Sequence, residues 1–319
     1  MRRTGAFGLL GVPLILLLGS LSPTLVWAAS LARDPVQVLK SGATVTLYGV
    51  AFPSPTAGWV VGGAGTILAT TNGGASWKPQ KSGSQETLYD VAFPTPKVGW
   101  AVGSNGAILK TTDGGAKWAV QKSGTIVSLY DVTFLDDKRG WIAGADGTIL
   151  STDDGGASWQ DQPTGSKVHL YAVLFLNEKD GWAVGALGTI LSTKDSGRTW
   201  KVRESGTPST LFDIAFPDPT IGWIAGNGGV LLQTVNGGEK WEDRSLSQPV
   251  DLTGLAFTDI KTGWVVGDRG AIFRTTDGGF TWAPYGRGPQ ATFYGTTFRN
   301  GKTGVAVGDQ GMIVQIAVP

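Results

Sequence analysis

The sequence predicts an all-β protein, a seven-bladed β-propeller whose four-stranded blades are each 41 residues long. Three observations carry this prediction. Tryptophan recurs in two series at a strict spacing of 41 residues, and glycine-containing turns separate short apolar runs within each unit. The last unit also lacks a strand, which the N-terminal segment can supply. The composition agrees, because the chain has 49 Gly and 13 Trp but only 16% charged residues.

Two tryptophan series define the repeat. In the first series each Trp follows a Gly, at Trp59, Trp100, Trp141, Trp182, Trp223 and Trp264. The next position in this series is Val305, which follows Gly304 and marks a seventh unit in which the Trp is replaced. The second series has the same spacing, at Trp77, Trp118, Trp159, Trp200, Trp241 and Trp282. A repeat this regular predicts one closed or stacked array.

Each unit contains four short apolar runs, which predict four strands. In the second unit these runs occupy residues 88–93, 99–103, 107–111 and 118–122. Asn105-Gly106, between the second and third runs, predicts a tight hairpin because both residues tolerate the positive φ that this turn requires. A four-stranded sheet of about 40 residues cannot bury both faces alone, so we expect the sheets to stack face to face as propeller blades.

The two ends of the chain complement each other. The seventh unit stops at Pro319, before its fourth strand would begin. Residues 36–42 lie 41 residues ahead of residues 77–83 and match them in Lys-Ser-Gly. We therefore expect the N-terminal segment to donate the outer strand of the last blade and to close the ring.

The first 28 residues differ from the rest and predict a signal peptide. Arg2-Arg3 precedes the apolar run 6–18, and Val26-Trp27-Ala28 offers small residues for cleavage before Ala29. The expected organisation is a signal peptide over 1–28, a short segment over 29–35 and the propeller over 36–319. An uncleaved N-terminal anchor is the alternative. Either way the protein is expected to be exported, to a periplasm, a thylakoid lumen or the cell surface.

Composition excludes several function classes. The chain has no Cys, so disulfides, thiolate metal sites and Cys nucleophiles are excluded, and its one His disfavours His-based zinc sites and Ser-His-Asp triads. A formal net charge of +1 lacks the basic signature of nucleic-acid binding. We expect a monomer without a cofactor or metal.

A Thr-x-Asp/Asn-x-Gly-x-x-Trp motif, the Asp box, precedes every Trp of the second series. A short carboxylate or amide at this place can accept backbone N–H groups across a loop, and the Gly can adopt a left-handed conformation. Two of the six acceptors are Asn, and six copies around a ring do not indicate one catalytic or calcium site. We interpret these residues as structural: Asn72, Asp113, Asp154, Asp195, Asn236 and Asp277.

These repeats resemble the photosystem II stability and assembly factor family. The likeness covers residues 36–319 and is illustrated by the stretches 181–185 (Gly-Trp-Ala-Val-Gly), 188–191 (Gly-Thr-Ile-Leu) and 195–200 (Asp-Ser-Gly-Arg-Thr-Trp). The resemblance implies an exported seven-bladed propeller of the thylakoid lumen or periplasm. It also implies a protein that is not an enzyme and that binds newly made reaction-centre polypeptides, so photosystem II precursors are the expected clients.

Two other function classes are alternatives. Asp boxes also occur in sialidases and polysaccharide hydrolases, so a glycan-active propeller, either a hydrolase or a lectin, is one. The Phe/Tyr-Arg-Ile-Pro stretch of sialidases is absent, and uniform 41-residue units leave no room for the loop insertions that build a deep subsite. A generic periplasmic or cell-surface scaffold is the other.

Positions that vary between blades mark two candidate interaction surfaces. Before the Gly-Trp strand, one ring of loops carries cations at Lys97, Lys138, Arg139, Lys179, Lys261 and Lys302. On the opposite face, a ring of mostly Thr and Ser precedes the inner strands, and hairpin turns lie beside it. The distinctive residues of that rim are His169, Asp251, Asp146, Asp268 and Arg269. Inside the ring, Asp90, Asp131 and Asp213 are expected to line the channel and to bond neighbouring backbone.

Overall fold

The computed structural model describes residues 34–286, 288–299 and 301–318, and over these residues the chain is built from 28 strands. The predicted signal peptide, residues 1–28, lies outside the described residues. No helix in the described part is long and apolar enough to cross a membrane.

The strands follow one another around the ring. The first is β1 (Val36–Leu39). Blade 1 contains β2 (Leu47–Ala51), β3 (Gly58–Gly62), β4 (Ile67–Thr70) and β5 (Lys78–Gln80). Blade 2 contains β6 (Leu88–Ala92), β7 (Gly99–Gly103), β8 (Ile108–Thr111) and β9 (Ala119–Gln121). Blade 3 contains β10 (Leu129–Phe134), β11 (Gly140–Gly144), β12 (Ile149–Thr152) and β13 (Gln160–Asp161). Blade 4 contains β14 (Leu170–Phe175), β15 (Gly181–Gly185), β16 (Ile190–Thr193) and β17 (Lys201–Arg203).

The remaining blades repeat the pattern. Blade 5 contains β18 (Leu211–Asp218), β19 (Ile221–Gly226), β20 (Leu231–Thr234) and β21 (Glu242–Asp243). Blade 6 contains β22 (Leu252–Phe257), β23 (Gly263–Gly267), β24 (Ile272–Thr275) and β25 (Ala283–Pro284). Blade 7 contains β26 (Phe293–Phe298), β27 (Thr303–Gly308) and β28 (Met312–Ala317). Short 3-10 turns join the second and third strands of blades 2 to 7, at Ser104–Gly106, Ala145–Gly147, Ala186–Gly188, Asn227–Gly229, Asp268–Gly270 and Asp309–Gly311.

The predicted fold class is confirmed. Each blade is a four-stranded antiparallel sheet, and the innermost strand of every blade contacts that of the next, with β26 against β2. Strand β1 pairs with β28 as the outer strand of blade 7, with Val36 opposite Ile316 and Leu39 opposite Ile313. The N-terminal strand therefore closes the ring, as the incomplete last unit predicts.

Stacked aromatic side chains hold neighbouring blades together. Trp59 of blade 1 lies parallel to Phe93 of blade 2, with ring centroids 3.7 Å apart, and Trp118 packs edge-on against the same Phe93 at 5.9 Å. The first Trp series therefore fills the gaps between blades, and each aromatic pair adds about 1 kcal/mol beyond its area burial. At the junction of blades 7 and 1, where Val305 replaces Trp, the Arg299 guanidinium lies 5.9 Å from the Phe52 ring centroid.

The hairpin between the second and third strands has the predicted turn conformation. Asn105 and Gly106 both have positive φ, 53° and 67°, and the Ala107 N–H donates to the Ser104 carbonyl at 3.0 Å. The blade 4 turn has the same shape although Leu187 occupies the first left-handed position, with φ 56°. A leucine in this conformation is strained, because its Cβ crowds its own backbone.

Candidate functional site

The loops divide into two opposite faces. On the mouth face, the hairpin turns lie beside the residues that precede the innermost strands: the Ser104 N–H donates to the Thr87 carbonyl at 2.9 Å. On the Asp-box face, the loops between first and second strands lie beside the Asp boxes: the Gly114 N–H donates to the Lys97 carbonyl at 2.9 Å. The two candidate surfaces of the sequence therefore occupy different faces.

Each Asp box is a turn that is closed by its own side chains. In blade 2, Asp113 Oδ1 accepts the Lys117 N–H and the Thr111 hydroxyl, both at 2.9 Å, and the Thr111 hydroxyl accepts the Gly115 N–H at 2.8 Å. The N–H four residues ahead is bonded in the same way by Asn72, Asp113, Asp154, Asp195, Asn236 and Asp277.

The carboxylates of the Asp boxes are held in the charged form. Hydrogen bonds from the Ser158 hydroxyl and N–H lower the pKa of Asp154 to about 2, and those from Thr281 lower the pKa of Asp277 to about 2. Acids with so low a pKa cannot donate protons near neutral pH. The geometry of these residues is that of structural turns.

The lysines of the Asp-box face are exposed, with one on each of five loops. The backbone carbonyl of Lys138 accepts the Gly155 N–H at 2.8 Å, and that of Lys261 accepts the Gly278 N–H at 2.9 Å, so these loops brace the Asp boxes. The structure does not gather the cations into one cluster, because the exposed lysines lie on separate blades: Lys97, Lys138, Lys179, Lys261 and Lys302.

Carboxylates share the Asp-box face with these cations. Arg139 is half-buried and forms ion pairs with Asp136, at 2.7 Å, and with Glu178 of the next blade. Asp136 also accepts the Lys138 N–H at 2.8 Å, and Asp259 accepts the Lys261 N–H at 2.7 Å. The face is therefore one of mixed charge. The sequence pattern shows the ring of cations but not the acids that the fold places beside them.

The rim residues on the mouth face bond across blade junctions. His169 Nδ1 accepts the Asp146 N–H at 3.2 Å. Asp251 accepts the Gly228 N–H at 2.9 Å and the Asn227 side-chain amide at 2.7 Å. His169 and Asp146 are thus brought together, whereas Asp251 lies at a different junction.

The remaining rim residues, Asp268 and Arg269, both lie in the hairpin turn of blade 6. Asp268 accepts the Thr292 hydroxyl at 2.7 Å, and the Arg269 guanidinium donates to the Pro249 carbonyl at 3.3 Å. Thr292 also donates its N–H to Asp309 at 3.3 Å. The rim carboxylates therefore tie neighbouring loops of the mouth face together.

A ring of aromatic side chains, missed in the sequence analysis, surrounds the central channel. It occupies six of seven equivalent positions, and adjacent ring centroids along it are 5.0–5.6 Å apart. The seventh position is Thr253. We call this set the aromatic ring: Tyr48, Tyr89, Tyr130, Tyr171, Phe212 and Tyr294. Its side chains are partly accessible, unlike the buried Trp and Phe between blades.

A β-bulge explains why the alternation of side chains along a strand does not predict the aromatic ring. In blade 2, Leu88 pairs with Gly103 but Asp90 pairs with Val102, so Tyr89 is an extra residue in the strand. All seven innermost strands have this register shift. Two successive residues, Tyr89 and Asp90, therefore both line the channel. The signal available in the sequence is the dipeptide Leu-Tyr, which recurs at a spacing of 41 residues in the first four blades.

Three carboxyl groups lie in the channel next to the aromatic ring. Each accepts a main-chain N–H from the following blade: Asp90 from Val132 at 3.1 Å, Asp131 from Val173 at 2.6 Å and Asp213 from Leu255 at 2.7 Å. The sequence-based expectation that these aspartates line the channel and bond neighbouring backbone is confirmed. Their positions clamp blade 2 to 3, blade 3 to 4 and blade 5 to 6.

Burial changes the protonation of these channel carboxyls. Desolvation, followed by the charge of Asp131, raises the pKa of Asp213 to about 7. Desolvation also raises the pKa of both Asp90 and Asp131, whose carboxyl groups are neighbours, and it raises the pKa of Asp90 the further. With a pKa of about 7, Asp213 is only partly ionised near neutral pH.

The channel cavity has a volume of about 250 Å³ and is lined by the aromatic ring, the three aspartates and small residues such as Gly49 and Gly295. Gly49 makes room for its neighbour: a Cβ there would lie 2.8 Å from Asp90 Oδ1 and 2.7 Å from Asp90 Cα. Within the described part of the chain, no group of three or more His, Asp or Glu side chains is arranged to hold a metal ion.

Comparison with known proteins gives a family match and several structural neighbours. A family model described as photosynthesis system II assembly factor YCF48 matches residues 76–127, 121–203 and 198–253, which together exceed half of the chain. No protein of curated function matches the sequence significantly.

Among solved structures, the chain is similar to one titled YCF48 bound to D1 peptide, with 23% identity and a TM-score of 0.75, covering 91% of this chain and 97% of that one. It is similar to YCF48 from Cyanidioschyzon merolae, with 21% identity and a TM-score of 0.73, covering 88% and 98% of the two chains. A GH74 enzyme of Niastella koreensis has 12% identity and a TM-score of 0.71, covering 88% of this chain and 53% of that one. At these identities the neighbours show the fold.

Proposed function

The chain belongs to the photosystem II assembly factor YCF48 family, and we propose that it acts without catalysis by docking a newly made photosystem II polypeptide. The family match over residues 76–253 is the observation that carries this proposal. A structural neighbour with the same blade arrangement is titled as bound to a D1 peptide, which supports a polypeptide client. The proposed compartment is a thylakoid lumen or periplasm, reached through the signal peptide over residues 1–28.

We propose the mouth face as the docking surface. On the Asp-box face the cations are interleaved with acids, as in the Arg139 contacts with Asp136 and Glu178, so that face offers no extended basic patch. The mouth face offers partly accessible aromatic side chains and exposed turn tips, including Leu187 at 71% exposure. Accessible aromatic groups with a polar border are typical of protein-binding surfaces.

A glycan-active propeller is the competing function, because paired carboxyls lie in the channel and a GH74 enzyme shares the fold. The arrangement of Asp90 and Asp131 argues against it. A glycosidase holds its two carboxyls about 5–9.5 Å apart, on either side of the scissile bond. The carboxyl groups of Asp90 and Asp131 are immediate neighbours, and both accept main-chain N–H groups, so neither is placed to attack a sugar.

The experiment is affinity capture of the tagged mature protein from native membranes, with mild crosslinking and mass spectrometry. Two matched variants map the face, each with five exposed residues changed to Glu. The first changes the Asp-box face at Lys97, Lys138, Lys179, Lys261 and Lys302. The second changes the turn tips of the mouth face at Ala64, Asn105, Leu187, Arg269 and Gln310.

We expect the unmodified protein and the lysine variant to capture photosystem II precursors, and the variant changed at the turn tips of the mouth face to lose them. Loss with the lysine variant alone would move docking to the Asp-box face. Capture of other envelope proteins without photosystem II subunits would contradict the proposed client and favour a general scaffold. Hydrolysis or binding on a glycan array, without any captured protein, would favour the glycan-active alternative.

A further inference from the structure

The aromatic ring has the dimensions of a cation-binding cage. Neighbouring centroids are 5.0–5.6 Å apart. On a regular ring of seven positions, this spacing places each centroid about 6 Å from the channel axis, the distance within which cation–π attraction acts. A cation on the axis would therefore be within reach of several aromatic rings at once. Propeller stability does not require this arrangement, because the buried Trp and Phe already fill the spaces between blades.

The ionisable groups that line the channel are all acids. Asp90, Asp131 and Asp213 all line the cavity, and no Lys, Arg or His is among the described residues that line it. Carboxyls held away from bulk water without a counter-cation are costly, and a bound cation would offset that cost. An anionic ligand would instead add repulsion, so the channel selects for positive charge.

The border of the mouth extends this preference outward. The Tyr294 hydroxyl donates to Asp309 at 3.2 Å, and the Thr46 hydroxyl donates to the same carboxylate at 3.3 Å, so one rim acid directly contacts the aromatic ring. Asp146 lies near enough to Tyr130 to contribute to the raised pKa of that phenol, behind burial and two neighbouring tyrosines. These acids attract a positive group toward the opening.

We propose that the channel mouth binds an organic ammonium group, held by the aromatic ring and by the carboxyls that lie beside it in the channel. A cavity of about 250 Å³ accommodates one side chain or one small amine, not a folded segment. Aromatic walls suit an organic cation better than a metal ion, which needs several oxygen ligands. The ammonium group comes either from a lysine of a docked polypeptide or from a free amine. Only the first source rests on the proposed function.

The direct test is calorimetric or NMR titration of the purified protein with N-acetyl-lysine-methylamide. The neutral analogue N-acetyl-norleucine-methylamide is the matched probe, because it keeps the four side-chain carbons and removes the ammonium group. We expect the lysine probe to bind at least ten-fold more tightly, and tetramethylammonium to compete with it. No binding of the lysine probe, or equal binding of the two probes, would overturn the proposal.

Variants locate the site. Tyr130→Leu removes one aromatic face and should weaken lysine-probe binding about ten-fold, whereas Tyr130→Phe keeps the face and should change it less than three-fold. Asp131→Asn keeps the size of the side chain and should weaken binding several-fold. Equal affinities for the Leu and Phe variants would contradict a role for the aromatic ring. If the Tyr130→Leu variant does not fold, the Asp131→Asn variant still tests the proposal. An unchanged affinity for the lysine probe in that variant would show that the channel carboxyls do not contribute to binding.

A peptide titration separates the two sources of the cation. A client peptide identified by capture is compared with versions in which each lysine is replaced by norleucine. A ten-fold loss for one replacement, absent with the Tyr130→Leu protein, assigns the cation to the client. If the peptide binds equally well in all versions while the lysine probe binds the channel, the cation is a free amine and client docking stands separately. If no client is captured, the probe titrations alone still test the site.

Discussion

Asp213 provides a direct test of the channel electrostatics through the pH dependence of stability. Its pKa is raised from 3.8 to about 7, mainly by burial. A carboxyl with a raised pKa binds its proton more tightly in the folded state, so folding is favoured at low pH. That contribution is lost as pH rises from about 4 to 7, and the folded protein then holds a partly desolvated carboxylate. Asp213→Asn imitates the protonated form and should remove this loss.

The magnitude follows from the shift. Each pKa unit corresponds to about 1.4 kcal/mol, so a rise of about three units corresponds to about 4 kcal/mol at pH 8. The Asp213 side chain is partly exposed, so solvent screens part of the charge, and we expect Asp213→Asn to be more stable than the unmodified protein by about 2–4 kcal/mol at pH 8. At pH 4 the two proteins should differ by less than about 1 kcal/mol, because the side-chain oxygen of Asn can still accept the Leu255 N–H.

The assay is urea unfolding, followed by tryptophan fluorescence and circular dichroism, at steps between pH 4 and pH 8.5. Asp213→Ala is the control, since it removes the charge and also the acceptor for Leu255; it should be less stable than Asp213→Asn at every pH. A stability difference between Asp213→Asn and the unmodified protein that is independent of pH would refute the reasoning. A lower stability of Asp213→Asn than of the unmodified protein at pH 8 would also refute it.

Three further predictions concern the repeat itself. Leu187→Asn should raise the free energy of unfolding by about 1 kcal/mol, because Asn tolerates the left-handed turn conformation that strains Leu187. Urea unfolding measures this change. Leu187→Val is the control and should lower the stability. Thr111→Val should lower the free energy of unfolding by about 1–2 kcal/mol, because it removes the hydroxyl that bonds Asp113 and Gly115. Thr111→Ser keeps a hydroxyl and should lose much less stability in the same assay. Equal losses of stability in the two variants would contradict the role of these hydrogen bonds. Deleting residues 34–41 should remove β1, expose the edge of β28 and lower the thermal midpoint by 10 °C or more, on the order expected for a loss of several kcal/mol. The control is a chain that starts at Asp34, which keeps β1 and should keep the midpoint. An unchanged midpoint in the protein that lacks residues 34–41 would contradict ring closure by β1.

Much of the fold follows from the repeat. A spacing of 41 residues, the Gly-Trp strands and the Asn105-Gly106 type of turn predict the blades, and the incomplete last unit predicts closure by Val36–Leu39. These features are local or recur at a fixed spacing, so the order of residues along the chain is enough to predict them. The clamping role of Asp213 was predictable for the same reason, because it occupies the same innermost-strand position as Asp90 and Asp131.

The binding surfaces could not be predicted in the same way. The cations of the Asp-box face are visible as a ring in the sequence, but Glu178 meets Arg139 only because two blades are neighbours in space. The aromatic ring depends on the bulge at Tyr89, which directs two successive residues into the channel. Alternation along a strand would place one of them in the core.

The sequence by itself therefore determined the number of blades, their strand order and the closure of the ring, since these depend on hydrophobic periodicity and turn chemistry within each unit. Only the tertiary structure decided what converges at the centre. The innermost strands bring aromatic residues of successive blades, 41 positions apart in the sequence, to ring-centroid distances of 5.2–5.6 Å. Burial at that centre then raises the pKa of Asp213 to about 7, an environment that no single repeat possesses.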